Sequence, residues 1–92
     1  MKVRFETSRL VLYQLAWRKT VGEEAVMDAA IAKLHLSESW VQSCLDAIQI
    51  HGGYGYMTEF ELERDLRDSI AGRIYSGTSE IQRNIIAAQL GL

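Results

Sequence analysis

The segment from Thr20 to about Ile50 reads as one long helix whose apolar residues fall on two stripes. One stripe is Ala30, Leu34, Val41, Leu45 and Ile48; the other is Ala29, Leu36, Trp40, Ala47 and Ile50. A helix that is apolar on two sides needs neighbours on two sides, so this one belongs in the middle of a bundle. At about 1.5 Å rise per residue it spans roughly 40 Å. Thr20-Val-Gly-Glu23 fits a capping box for its start. Gly52-Gly53 fits its stop, with Gly53 expected to take a positive φ where the chain leaves the helix.

The rest of the chain also reads as helix. Residues 2–20 carry Val3, Thr7, Leu10, Gln14, Trp17 and Val21 at steps of three and four. Nothing caps the start of this helix, as expected of a chain that was cut or that enters in the middle of a larger bundle. Thr58-Glu-Phe-Glu61 fits a second capping box and opens a third helix ending around Arg67–Ile70. Residues 71–77 form a connector containing Gly72 and Gly77. Thr78 or Ser79 caps a last helix running to Leu90, with Ser79 and Gln82 as a possible third box and Gly91 as the stop. There is no proline and no strand pattern. The expected fold is all-α: an antiparallel helical hairpin with two shorter helices folded against it.

Composition removes several function classes. Ninety-two residues make one small domain at most, with a core that is marginal without help. A net charge of −2 leaves no electrostatic footprint for nucleic acid. No apolar run approaches the roughly 18 residues a membrane span needs, and Met1-Lys-Val-Arg-Phe5 is not the start of a secretory signal. The single Cys44 has no partner in the chain. It reads as a buried, reduced thiol, which fits a cytoplasmic location. Trp17 and Trp40 read as core or interface residues. The charged run Glu59–Asp68 reads as a solvated helix face on which Glu63 and Arg67 attract.

Two motifs carry possible chemistry. The first is Gln49-Ile-His-Gly-Gly-Tyr-Gly-Tyr56. Its glycines let a backbone approach a ligand closely, but phosphate cradles normally precede a helix and this cluster follows one. On physical grounds alone a structural turn is the favoured reading. His51 has no second ligand at metal spacing, so no metal site is expected. The second is Ile74-Tyr-Ser-Gly-Thr-Ser-Glu-Ile-Gln-Arg83, a loop running into a helix N-terminus. Such an end points backbone N–H groups outward, and ordinary capping by Thr78 or Ser79 accounts for it as well.

Together, in this order, the two motifs resemble the C-terminal helical domain of the FAD-dependent acyl-CoA dehydrogenases. The resemblance runs from about Arg4 to Leu92 and covers roughly the last quarter of such an enzyme. It makes residues 1–92 an incomplete domain of that type, part of a four-helix bundle. It implies that Gln49, Gly52 and Gly53 contact the FAD of a neighbouring subunit. It implies that Thr78 and Glu80 touch FAD, and that Tyr75 and Gly77 line the pocket for an acyl thioester. Ser76 stands where many members carry the catalytic glutamate, and the Arg67-Asp68 pair matches a recurring structural pair.

A carboxylate can take an α-proton near neutral pH, whereas the hydroxyl of Ser76 needs a base of its own. Three arrangements answer this vacancy. The base sits on a helix outside this chain, or a competent subunit pairs with this one, or the fold serves another reaction or none. The expected function is a fragment or split subunit of a flavin-dependent oxidoreductase that dehydrogenates an acyl thioester. The alternative is a non-catalytic helical assembly module that completes a partner's flavin site. Either reading expects a homo-oligomer, or a partner chain with the missing N-terminal and β-domains.

Overall fold

A computed structural model describes all 92 residues and contains no strand. The elements are α1 (Lys2–Thr20), α2 (Val26–His51), α3 (Gly53–Tyr56), a 3₁₀ turn (Thr58–Phe60), α4 (Leu62–Ala71) and α5 (Ser79–Gln89). α2 is the spine. α1 packs along it as the other arm of a hairpin, and α4 and α5 also pack against it. α1 does not reach α4 or α5. The two-sided packing read from the stripes is therefore what the fold uses.

The shape follows from that arrangement. The chain measures 47 × 23 × 17 Å, with a radius of gyration of 15.5 Å. A spherical domain of this length would have about 12 Å. α1 contains no buried residue. It is tied to α2 largely by polar links: Arg4 with Asp46 at 2.5 Å, Thr7 with His35 at 3.0 Å, and Arg18 with Asp28 at 3.3 Å. The apolar core proper is Ala25, Ala30, Ala32, Val41 and Cys44. Such small side chains bring helix backbones close together rather than burying large areas. Trp17 and Trp40 are 59% and 45% exposed, so neither is a core residue in this chain.

The element boundaries differ from expectation at three places, each for a local reason. Thr20-Val-Gly-Glu23 ends α1 instead of starting α2. The Thr20 hydroxyl donates back to the Ala16 carbonyl at 2.9 Å. Gly22 has φ +79, Gly22 N–H bonds the Lys19 carbonyl, and Glu23 N–H bonds that of Arg18. This is a Schellman stop, and α2 begins at Val26 without a side-chain cap.

At the far end, Gly52 rather than Gly53 leaves the helix with φ +55 and ψ −133. Gly53 opens the short α3. Thr58 starts only a 3₁₀ turn; Glu61 then takes φ +61, and α4 begins at Leu62 with no side-chain cap. Glu63 forms no ion pair with Arg67: one of its carboxylate oxygens is buried without a partner.

Candidate functional site

The connector Gly72–Thr78 is a pinned loop. Its neck is closed by the backbone bond from Ser79 N–H to the Arg73 carbonyl, 3.0 Å. The Glu38 carboxylate on α2 grips both sides of that neck. Its Oε1 accepts from Arg73 Nε at 3.1 Å and from Ser79 Oγ at 2.7 Å. The tip is held from two sides. Lys33 Nζ donates to the Gly77 carbonyl at 2.6 Å. The Gln82 amide donates to the carbonyls of Ser76 and Gly77, both at 3.3 Å.

At the tip two successive residues have positive φ, Ser76 at +55 and Gly77 at +90. Glycine adopts this freely, whereas a serine there is held against a cost of about 1–2 kcal/mol. Gly77 is also hemmed in, since a Cβ there would stand 2.7 Å from Gln82 Nε2. Tyr75 lines a groove of about 690 Å³ with Phe5, Leu36, Trp40 and Gly72. Ser76 lines a separate cleft of about 420 Å³ with Lys19, Ala29, Gln82 and Ile85. Lys33 borders both.

The start of α5 is satisfied from within. Thr78 is the cap and accepts from Ile81 N–H at 3.3 Å. Ser79 is not a cap, and the Ser79–Gln82 box does not form, because the Ser79 hydroxyl is committed to Glu38 on α2 and the Gln82 amide to the loop carbonyls. Glu80 is held below the usual carboxylate range, first by backbone N–H at its own position and then by the Thr78 hydroxyl. The backbone donors expected to point outward therefore already have partners.

Gln49, Gly52 and Gly53 stand at the other end of α2. The 16 helical residues from Lys33 to Gln49 put the two groups roughly 24 Å apart. Gln49, Gly52 and Gly53 are all exposed, and a Cβ at either glycine would meet nothing within 4 Å. This backbone is open to a flat ligand. His51 bonds its own helix, Nδ1 to the Ala47 carbonyl at 2.8 Å. No cluster of three His, Cys, Asp or Glu side chains is placed to hold a metal, and no helix is long and apolar enough to cross a membrane.

Of the residues expected at this site, Tyr75 lines one depression and Ser76 the other, while Gly77, Thr78 and Glu80 line neither. The structure adds Lys33, Glu38, Arg73 and, in a new role, Gln82. A lysine and a glutamate on a helix covered from two sides were the available signal, but their partners lie 35 to 44 residues away in the chain.

Residues 1–91 match the family model described as acyl-CoA dehydrogenase, C-terminal domain. The chain is 49% identical, over all 92 residues, to the L-prolyl-[peptidyl-carrier protein] dehydrogenase of a Serratia species. It is 41% identical over 90 residues to the 3-(aryl)acrylate reductase of Clostridium sporogenes. Among solved structures, all of the chain superposes on the prolyl acyl carrier protein oxidase AnaB at a TM-score of 0.97, with 58% identity. PigA in complex with FAD matches over the whole chain at 0.97 and 49%. In each case the chain spans about a quarter, 24%, of the relative's length. The chain belongs to the acyl-CoA dehydrogenase family and corresponds to its C-terminal helical domain.

Proposed function

We propose that this chain is the C-terminal helical part of a flavin-dependent dehydrogenase that oxidises an acyl thioester, with a prolyl group on a carrier protein as the substrate class. The observation that carries the proposal is the pinned loop at Tyr75–Thr78. It is a preformed wall between two depressions, in a chain alike over its whole length to two prolyl-carrier enzymes.

The exposed backbone at Gly52–Gly53 fits a flat ring system lying against it, with Gln49 beside it as a hydrogen-bonding side chain. The separation from the loop favours two different flavins: one near Thr78 and Glu80, and a neighbouring subunit's at Gln49, Gly52 and Gly53. FAD, when bound, supplies the acceptor for the hydride from the β-carbon. This chain's own residues shape one wall of the thioester pocket through Tyr75, which lines the larger groove, with Gly77 beside it at the loop tip. The α-proton goes to a base outside this chain, because Ser76 has only an ordinary hydroxyl and no histidine or carboxylate bonded to it.

The test uses the full-length protein containing this chain. It is expected to purify yellow and to bleach when mixed with a prolyl thioester on a carrier protein. Butyryl-CoA should bleach it more slowly by an order of magnitude or more. A yellow protein reduced equally by both thioesters would discard the carrier-bound substrate class. A colourless protein that takes up no FAD would discard the flavin reading.

A further inference from the structure

Lys33 is a half-buried lysine whose hydrogen-bond partner is a backbone carbonyl, that of Gly77. It sits on the spine helix, beneath a loop tip where a serine and a glycine both have positive φ. We propose that Lys33 is a positioning residue for the thioester site: with Gln82 it holds Ser76 in the left-handed conformation, and so fixes the wall that Tyr75, Ser76 and Gly77 present to substrate. The proposal rests on the functional reading above and goes beyond it, since it assigns a role to a residue outside the loop.

The argument is one of geometry and cost. A serine at φ +55 resists its own conformation, and strain of this kind persists only where the surroundings over-determine it. The surroundings here are three donor contacts on two successive carbonyls. One comes from a lysine ammonium, and a charged donor makes a stronger hydrogen bond than a neutral one. The backbone on either side is separately secured by Glu38 at the neck. Without Lys33 the loop therefore keeps the Glu38 contacts at its neck but loses the force on its tip, and the strain at Ser76 then falls on the backbone bonds of Tyr75 and Ser79. Lys33 also borders both depressions, so a shift of the tip changes both at once.

The experiment is a double-mutant cycle of Lys33→Met with Ser76→Gly in the full-length, flavin-loaded enzyme. Two quantities are read: backbone hydrogen exchange of the segment from Arg73 to Ser79, and the split of KM against kcat for the thioester. Lys33→Met is expected to raise exchange of the Tyr75 and Ser79 amides, the bonded ones on either side of the tip, by about tenfold, the order set by a left-handed serine's cost of 1–2 kcal/mol, while exchange in α1 and α2 stays unchanged. It is expected to raise KM more than it lowers kcat. Ser76→Gly in the Lys33→Met background should recover most of the protection, because glycine enters positive φ without that cost. Lys33→Arg should also recover it.

A lysine that merely props up the fold predicts faster exchange in α2 as well and no rescue by glycine, and either result overturns the proposal. So does unchanged exchange in the loop. Should Lys33→Met fail to fold, Lys33→Gln carries the same comparison, since its amide is shorter and uncharged. The exchange arm reports the clamp whatever the enzyme oxidises. Failure of the thioester assay with the exchange pattern intact would therefore discard the functional reading and not the clamp.

Discussion

A Cβ on Gly55 would stand 2.4 Å from the Ile48 carbonyl oxygen and 2.8 Å from the Ile48 Cα. The short α3 therefore folds back onto the last turns of α2 at backbone contact, and only a glycine fits. The obstruction is main chain, which cannot rotate away. Gly55→Ala should destabilise the protein by about 1–3 kcal/mol, the range for overpacking a tight contact. Gly53→Ala, where a Cβ meets open space and φ is not positive, should change stability by less than about 1 kcal/mol. Urea unfolding midpoints of the two variants check the contrast, and equal midpoints would refute it.

Glu38 joins both sides of the loop neck, and Ser79 beneath it is only 2% exposed. Glu38→Ala leaves a buried hydroxyl without its acceptor, a loss of about 1–3 kcal/mol. Glu38→Gln keeps a carbonyl oxygen that can take the Ser79 proton. It gives up the ion pair with Arg73, worth roughly 0–1 kcal/mol at a partly exposed site. The alanine variant should therefore unfold at clearly lower urea than the glutamine variant. The reverse order would mean that charge, not satisfaction of Ser79, is what Glu38 supplies.

Asp46 ties α2 to the first turns of α1. Its carboxyl is held below its ordinary value of 3.8, mainly by the hydrogen bond from Arg4 and then by that from Gln42. A depressed folded value means that the unfolded chain binds the proton first. This contribution to stability is complete above the ordinary value, and it is lost as pH falls through 3.8 toward the lower folded value. Asp46→Asn should flatten the acid limb of Tm against pH below about 4, where the unfolded carboxyl titrates. Salt should shrink the difference between variant and wild type, because the pair is partly exposed. Acid limbs of identical slope would rule this out.

Large apolar side chains of α1 have nothing over them: Leu10 is 63% exposed, Tyr13 61% and Trp17 59%. Contiguous apolar patches beyond a few hundred Å² rarely persist on soluble monomers. The chain by itself should associate at micromolar concentration. Leu10→Glu should weaken that association and move the emission of Trp17, on the same patch, to the red. Light scattering that shows a monomer for the unaltered chain would contradict this.

Periodicity made the helices legible, and α1 runs over the residues its pattern gave. The misreading at Thr20 has a physical cause. A threonine with an acid three residues on fits a helix start, yet Gly22 between them fits a helix stop, and the αL glycine decides. At Gly52-Gly53 the stop was legible, but which glycine carried the unusual φ depended on α3 folding back, a contact made through Gly55. The loop at Ser76 was legible as a motif. Its clamp was not, because Lys33 and Gln82 bind backbone carbonyls, and a carbonyl carries no mark of side-chain type. Glu38 finds its partners only after α5 has packed on α2.

Ser76 separates conformation from chemistry. Alanine takes φ +55 at a cost close to that of serine, so Ser76→Ala removes the hydroxyl and leaves the loop tip where it is. If the base lies outside this chain, that variant should lose less than about tenfold in kcat, or about 1.4 kcal/mol of transition-state stabilisation. If the hydroxyl were a nucleophile or proton relay, the loss would be on the order of a hundredfold or more. Ser76→Glu puts a carboxylate where many family members hold their base. It should slow the reaction if it crowds the existing base, and add activity if that base is removed. The measurement is thioester-dependent reduction of an artificial acceptor by the full-length wild type and both variants. A hundredfold loss in an alanine variant that remains folded and yellow would return Ser76 to the chemistry.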